Sequence, residues 1–499
     1  MVERARATTA VAAEPTCVRG ALSAAERRQL LIALMLPQAM VVVNLSAMGV
    51  ALPAIRETFN APADLVAWVV TAYTLPYVAL MPLYGRLGDD LGIRRMLLTC
   101  IGVFLAGTTL NSIASSLPLL LLGRFIQGAG ASGAVPLAIA LISRVFPEET
   151  RGRALGQWNS VGPVASVAGS LLSGILIDAQ GWHSIFLVVL LAGGAALVLV
   201  GRSAKMPAQH LQLDSLQTFD WGGVLLFSAT LTALLFYLTS RSITGYEALT
   251  DWRLLTVTIA LGAAFILYER CRPQPFIDLS LLLDANLART CLSSATRMFV
   301  MASTGFLIPL FLTDLGGLSA TAIGSMLMIR SAALFPTMYY GGRVADRLGS
   351  RRPIVIGLTG QAASVLLFII AGAQGGVSLV AVGLFLNGLS AGLALPALHR
   401  SAMEGNGDDR GGAAAGVYSM IRFWGQMLGT AVAGVLLQTL LDRGTPPLAS
   451  YRLVYGATIL VGAIGVLSAA TMREGQLSLT TPANPAHPST RRRRRSRPG

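Results

Sequence analysis

Long apolar stretches alternate with short polar ones along most of this chain. A membrane-spanning helix needs about 20 consecutive, mostly apolar residues. By that rule the pattern predicts fourteen spans. Six lie near 29–53, 66–84, 96–114, 118–142, 154–177 and 184–201. Two more lie near 221–240 and 253–269, and six near 290–313, 321–341, 353–373, 377–399, 413–440 and 452–471. No strand-like alternation competes with this pattern, so the fold class expected is an all-α polytopic membrane protein.

The polar breaks carry a repeat. GRLGDDLGIRR, Gly85 to Arg95, returns as GRVADRLGSRR, Gly342 to Arg352, with seven of eleven positions identical at an offset of 257. A second pair, FIQGAGASGAVP from Phe125 and FLNGLSAGLALP from Phe385, matches at five of twelve positions at an offset of 260. Two matching motifs at nearly one offset imply two related halves in one membrane. The expected organisation is a tail at 1–28, a six-helix bundle at 29–201, and a linker with two inserted helices at 202–272. A second six-helix bundle at 273–472 and a disordered basic tail at 473–499 complete it.

Composition sharpens this picture. Of 499 residues, 54% are hydrophobic and only 12% charged, about half the charge of a soluble domain. The net charge is +14, a balance that in a soluble chain would raise the question of nucleic acid. Here the arginines gather in loops after even-numbered spans, at 86, 94, 95, 144, 151, 153, 343, 347, 351 and 352. By the positive-inside tendency those loops and both termini are expected in the cytoplasm of a cell-membrane protein. Arg56, Arg241 and Arg443 are exceptions on the other side. The arginine run of the last tail fits contact with anionic lipid, and no nucleic-acid partner is expected. The first apolar segment is too long for a cleavable signal peptide. The dispersed cysteines Cys17, Cys100, Cys271 and Cys291 read as free thiols, and the four histidines suggest no metal cluster. No GxxxxGK[ST] loop is present, so no nucleotide cofactor is expected to drive the protein. No acid/base or metal constellation of an enzyme stands out.

These residues give the chain a resemblance. It is similar to the major facilitator superfamily, and most to its 14-span branch of drug:proton antiporters. GRLGDDLGIRR resembles the family's loop signature between spans 2 and 3, and AWVVTAYTLPYVALMPLYGRLGD leads into it as in that branch. LLLLGRFIQGAG resembles the fourth-span motif through Arg124, Gln127 and Gly128; GWHSIFLV at 181–188 and MIRFWGQMLGTAVAG at 420–434 resemble the sixth and thirteenth spans. The likeness covers about 29–472. It implies the major facilitator fold: two six-helix bundles plus two inserted helices. It also implies proton-coupled export of drugs or other small lipophilic molecules by alternating access. Two spans depart from the pattern. Asn44 and Gly49 stand where the family typically has Asp and Asn, and the glycines of the fifth span are differently spaced. Asn44 cannot carry a proton.

Candidate site residues follow. Gly85, Asp89, Gly92, Arg94 and Arg95, with Gly342, Asp346, Gly349, Arg351 and Arg352, form a gate motif on the cytoplasmic side. Its glycines permit sharp turns, and its Asp can bond a helix N-terminus or a neighbouring Arg. Charges inside a membrane are costly and normally face a cavity or a partner, which singles out Arg124, Arg297, Arg330 and Arg422. Asn44, Gln127, Asn387 and Gln426 are further candidates for the cavity or for coupling. Gly162, Pro163 and Gly169 mark a fifth span that either bends or packs tightly. With no carboxylate near mid-span, the interior is cationic. That opens two alternatives to drug export: movement of a specific anionic metabolite, or a transport-inactive membrane sensor.

Overall fold

The computed structural model describes residues 23–202, 220–239, 251–272, 277–374, 376–404 and 411–473. The expected linker at 203–219, Arg241 and nearly all of the 473–499 tail lie outside them. Every expected span sits on a helix. In chain order these are α1 (Ala24–Phe59), α2 (Ala63–Leu91), α3 (Ile93–Ser112), α4 (Leu117–Ala131), α5 (Ala134–Val145), α6 (Glu148–Gln180) and α7 (His183–Arg202). The inserted pair is α8 (Trp221–Thr239) and α9 (Trp252–Arg270). The second half holds α10 (Ala285–Asp314), α11 (Ala320–Leu348), α12 (Arg351–Gln374), α13 (Val377–Met403), α14 (Gly411–Asp442) and α15 (Pro447–Ala470). The fourth span is divided at Ser132–Gly133 into α4 and α5. Thirteen described segments are long and apolar enough to cross a membrane. The fourteenth expected span is α11, which carries Arg330 and packs against α6 and α13.

Helices overrun the apolar windows because polar residues extend a helix when its ends are capped. α1 starts at Ala24, five residues inside the expected tail, on a capping box. Ser23 accepts from the Glu26 amide, and the Glu26 carboxylate accepts from the Ser23 amide at 2.8 Å. The gate motifs correct a simpler expectation. Gly85–Leu91 and Gly342–Leu348 are not loop but the last turns of α2 and α11. The turn comes at Gly92, φ 95°, and at its counterpart Gly349, φ 77°, values that only glycine adopts readily. Gly85 and Gly342 serve neither turn nor close packing, since nothing lies within 4 Å of a Cβ built on either.

The repeat is written into the packing. α2 and α11 are both 29 residues long and start 257 positions apart. A Cβ on Gly128 would sit 2.1 Å from the Tyr73 carbonyl oxygen, and one on Gly388 would sit 2.1 Å from the Arg330 carbonyl oxygen. Gly128 and Gly388 therefore do one job in the two halves: they let α4 close on α2 and α13 close on α11, backbone to backbone. Between the halves, α6 packs on α11 and α14 packs on α2. The fifth span runs as one helix through Pro163, and two of its glycines, Gly169 and Gly174, serve close packing, whereas a Cβ on Gly162 would meet only the Gln38 side chain at 3.9 Å. A Cβ on Gly169 would lie 3.0 Å from Val43 Cα, and one on Gly174 would lie 2.5 Å from the Ala320 carbonyl. The inserted helix α8 lies over the α2–α14 seam, with Phe236 against Trp68 and Phe227 against Trp424.

Candidate functional site

The seam between the halves encloses a cavity of about 210 Å³ with walls from α1, α2, α4, α6, α10, α11 and α14. Most of its lining is apolar, including Leu45, Met48, Met298 and Phe306. Its polar groups are Arg124, Arg330, Gln426, Thr430 and four serines, Ser46, Ser166, Ser170 and Ser331. A neighbouring cavity of about 120 Å³ shares Gln426 and is walled by Tyr73, Tyr77 and Phe423. Among the described residues neither is lined by Asp or Glu. A hydroxyl chain crosses from one half to the other: Ser46 donates to Ser166 at 2.9 Å, and Ser166 and Ser331 are 2.9 Å apart.

Arg124 is fully buried and held by neutral acceptors. Its Nε donates to the Val69 carbonyl at 2.9 Å, and its Nη1 donates to Asn44 Oδ1 at 2.8 Å and Gln127 Oε1 at 2.6 Å. The Tyr73 ring lies 4.4 Å from its central carbon, a cation–π contact that partly replaces lost hydration. Asn44 is thus an acceptor for Arg124. In the geometry of this site a carboxylate at position 44 would form an ion pair; the amide leaves the guanidinium charge uncompensated.

The other candidates divide. Arg330 and Gln426 line the cavity. Arg297 does not; its guanidinium reaches the sulfurs of Met301 and Met298, each at 3.2 Å, and so stands one layer behind the wall those methionines make. Arg422 lies outside both linings, over the Phe423 ring at 4.7 Å and 3.1 Å from His399 Nε2. A guanidinium only donates, so His399 accepts at Nε2 as a neutral imidazole. Gln127 and Asn387 turn towards neighbours inside their own halves. Gln127 bonds Thr108 and Asn111 on α3, and Asn387 bonds Ser364 on α12, so both matching residues tie a fourth span to a third.

The gate motifs lie on one face of the molecule, at the ends of α2 and α11. Asp346 accepts from Arg400 Nη1 at 2.8 Å, while Arg400 Nε also reaches Glu404 at 2.7 Å. Arg94 donates to the Gly201 carbonyl at the end of α7. These bonds stay within a half. Arg95, Arg351 and Arg352 are exposed, and the Asp89 side chain lies outside the described residues.

Polar contacts between the halves gather at the opposite face, which composition did not single out. Arg56 of α1 pairs with Asp314 of α10 at 2.7 Å, and Tyr451 donates to the same Asp314 oxygen at 2.7 Å. The Asp178 carboxylate at the end of α6 accepts from the Ala320 and Thr321 amides at 3.0 and 2.8 Å, capping α11 from the other half. Gln438 of α14 accepts from the Ala63 amide at 2.8 Å. An anion at a helix N-terminus gains from free N–H groups and the helix dipole alike. Arg56, an exception to the arginine pattern, has its explanation in this latch.

Among the described residues no group of His, Cys, Asp and Glu could hold a metal ion, and Cys100, Cys271 and Cys291 are free.

The model of the Major Facilitator Superfamily matches residues 34–270 and 290–498. The chain belongs to the major facilitator superfamily. It is a multi-pass membrane protein with the fold and family of transporters. Among its relatives, the multidrug resistance protein Stp of Mycobacterium tuberculosis is 31% identical over 405 residues, covering 80% of this chain and 74% of that protein. The riboflavin transporter RibZ of Clostridioides difficile is 27% identical over 348 residues, covering 70% and 74%. The crystal structure of the peptide transporter POT in complex with sulfate superposes with a TM-score of 0.68 at 12% identity, covering 90% of this chain and 96% of that one. That likeness speaks for the fold alone.

Proposed function

We propose that this chain is a secondary transporter that exports drugs or other small lipophilic molecules by alternating access, with protons as the coupling ion. The observation that carries this reading is the mostly apolar cavity on the seam between two repeated halves. The likeness to a multidrug resistance protein supports efflux. The conformation fits one stage of such a cycle: a latch joins the halves at the Arg56–Asp314 face, while the gate-motif bonds stay within each half. On the arginine distribution we place the gate motifs and both termini on the cytoplasmic side. The runner-up is movement of a specific anionic metabolite in either direction, favoured by the cavity's lack of acidic lining.

The test is accumulation of a fluorescent dye in cells that express the chain or lack it, with and without a protonophore. Export predicts lower steady-state dye in expressing cells, rising to the control level when the proton gradient collapses. Exclusion that survives the protonophore removes proton coupling. Equal dye with and without the chain removes export and favours a sensor.

A further inference from the structure

We infer that Arg330 forms an anion-binding subsite, and that this transporter takes small lipophilic carboxylates in preference to neutral or cationic molecules of the same shape. This rests on the transport reading above and names the substrate class of that cavity.

The argument starts from the repeat. Arg330 stands where the first half has Tyr73, 257 positions earlier, and the two backbones do the same work, each receiving a glycine against its carbonyl oxygen at the same 2.1 Å. Packing therefore asks nothing of the side chain here. One half fills the place with a neutral phenol and the other with a permanent cation. Neither the fold nor topology accounts for that cation, because it lies ten residues inside α11, far from the gate-motif face where the other arginines of this helix gather.

Its surroundings point the same way. Arg124 is held by three protein acceptors and leaves only its Nη2 without a partner, whereas Arg330 makes no hydrogen bond at all among the described residues, its buried Nη1 included. The guanidinium lies beside Gly305, where a Cβ would come within 3.3 Å of Nη1. The missing side chain at 305 leaves it room at the cavity wall. Ser331, next in sequence, lines the same cavity and ends the Ser46–Ser166–Ser331 hydroxyl chain. A charge in a membrane interior is costly unless it finds a counter-charge. Arg124 shares the cavity, Arg297 stands behind its wall, and among the described residues no acidic one lines it. The missing counter-charge is then the ligand's. A carboxylate can take the guanidinium fork side on, and the surrounding Leu, Met and Phe side chains suit an apolar body. The cavity, about 210 Å³, is below the usual range of ligand pockets, about 300–1,000 Å³, so a compact body fits best.

The test uses the purified full chain and three probes on one naphthalene body: 2-naphthoate, its isostere 2-naphthamide, and 2-naphthylmethylammonium, with binding measured by equilibrium dialysis. The wild type should bind the carboxylate at least about 10-fold more tightly than the amide, the advantage expected of a charge-assisted contact, and the ammonium most weakly. In R330Q the carboxylate should fall to within about 2-fold of the amide, losing far more affinity than the amide does. R330K should keep part of the preference, since it retains the charge and loses the fork. A wild type that does not prefer the carboxylate over the amide overturns the proposal, and so does an R330Q variant that keeps the preference. If R330Q fails to fold, the three wild-type affinities decide alone. Dye exclusion from cells separates this result from the transport reading. Exclusion without a carboxylate preference sinks the subsite and leaves export standing; a preference without exclusion does the reverse.

Discussion

Replacing Arg124 by methionine is expected to cut transport sharply and lower the thermal stability of the purified protein. Methionine fills much of the same volume but donates nothing, so the Val69 carbonyl, Asn44 and Gln127 each lose a donor; Gln127 Oε1 keeps that of Asn111 and Val69 lies within α2, which leaves Asn44 Oδ1 as the orphan. An orphaned buried acceptor costs roughly 1–3 kcal/mol. Removing a desolvated charge gives part of this back, so a net loss of about 1–2 kcal/mol is expected. Gln127 also bonds Thr108 on α3, so the loss spreads to the joint between α4, α1 and α2 that shapes one wall of the cavity. Dye export should drop by at least about 10-fold. R124K should fall between, because an ammonium is a point donor and cannot reproduce the planar fork that meets Val69 and Asn44 together. Thermal unfolding in detergent and dye exclusion from cells check both parts. Export by R124M within about 2-fold of wild type would show that the network is dispensable.

The second large effect is expected at the latch. Asp178→Asn removes the charge from the cap on α11, and Asp314→Asn removes the partner of Arg56 and weakens the acceptor for Tyr451. A helix-terminus charge contributes about 0.3–1 kcal/mol, rising to about 2 where partly buried, and a part-exposed ion pair about 1 kcal/mol or less. The double variant should therefore lose about 2 kcal/mol of latch, shifting the closed-to-open ratio at that face roughly 30-fold. Each single variant should shift it less. Thiol labelling of cysteines placed behind the latch reads this directly: D178N/D314N should label faster than wild type. An unchanged labelling rate would mean that apolar packing alone holds this face.

Much of the fold was legible in the sequence, because membrane-length apolar runs and a repeated polar motif are both one-dimensional signals. The places where the reading slipped have physical causes. Gly85–Leu91 looked like loop because it is polar, yet polarity does not end a helix; the chain turns only where Gly92 adopts a positive φ. Gln127 and Asn387 look inward on the fourth-span pattern but bond the third helix of their own half. Helices that are apolar nearly all round carry little information about which face meets which neighbour. Arg124 and Asn44 were singled out separately. Their bond joins positions 80 apart, and spacing alone holds no trace of it. The latch was the least visible part. Asp178, Asp314 and Arg56 are isolated charges at span ends, and only the folded arrangement brings them across the seam. Arg330 was visible as a charge within a span, and the 257-position offset pairs it with Tyr73; that the two backbones do the same packing work emerges only in the folded chain.

The central claim is that the two halves tip about the cavity, opening one face as the other closes. Spin-label distance measurements on the reconstituted protein test it most directly. One pair, Glu57→Cys with Arg443→Cys, reports on the latch face, and the other, Arg95→Cys with Arg352→Cys, reports on the gate-motif face, both in a background with the native cysteines replaced. On adding a transported dye or changing the pH, the first distance should lengthen while the second shortens. Two distances that stay fixed, or that lengthen together, would contradict the account.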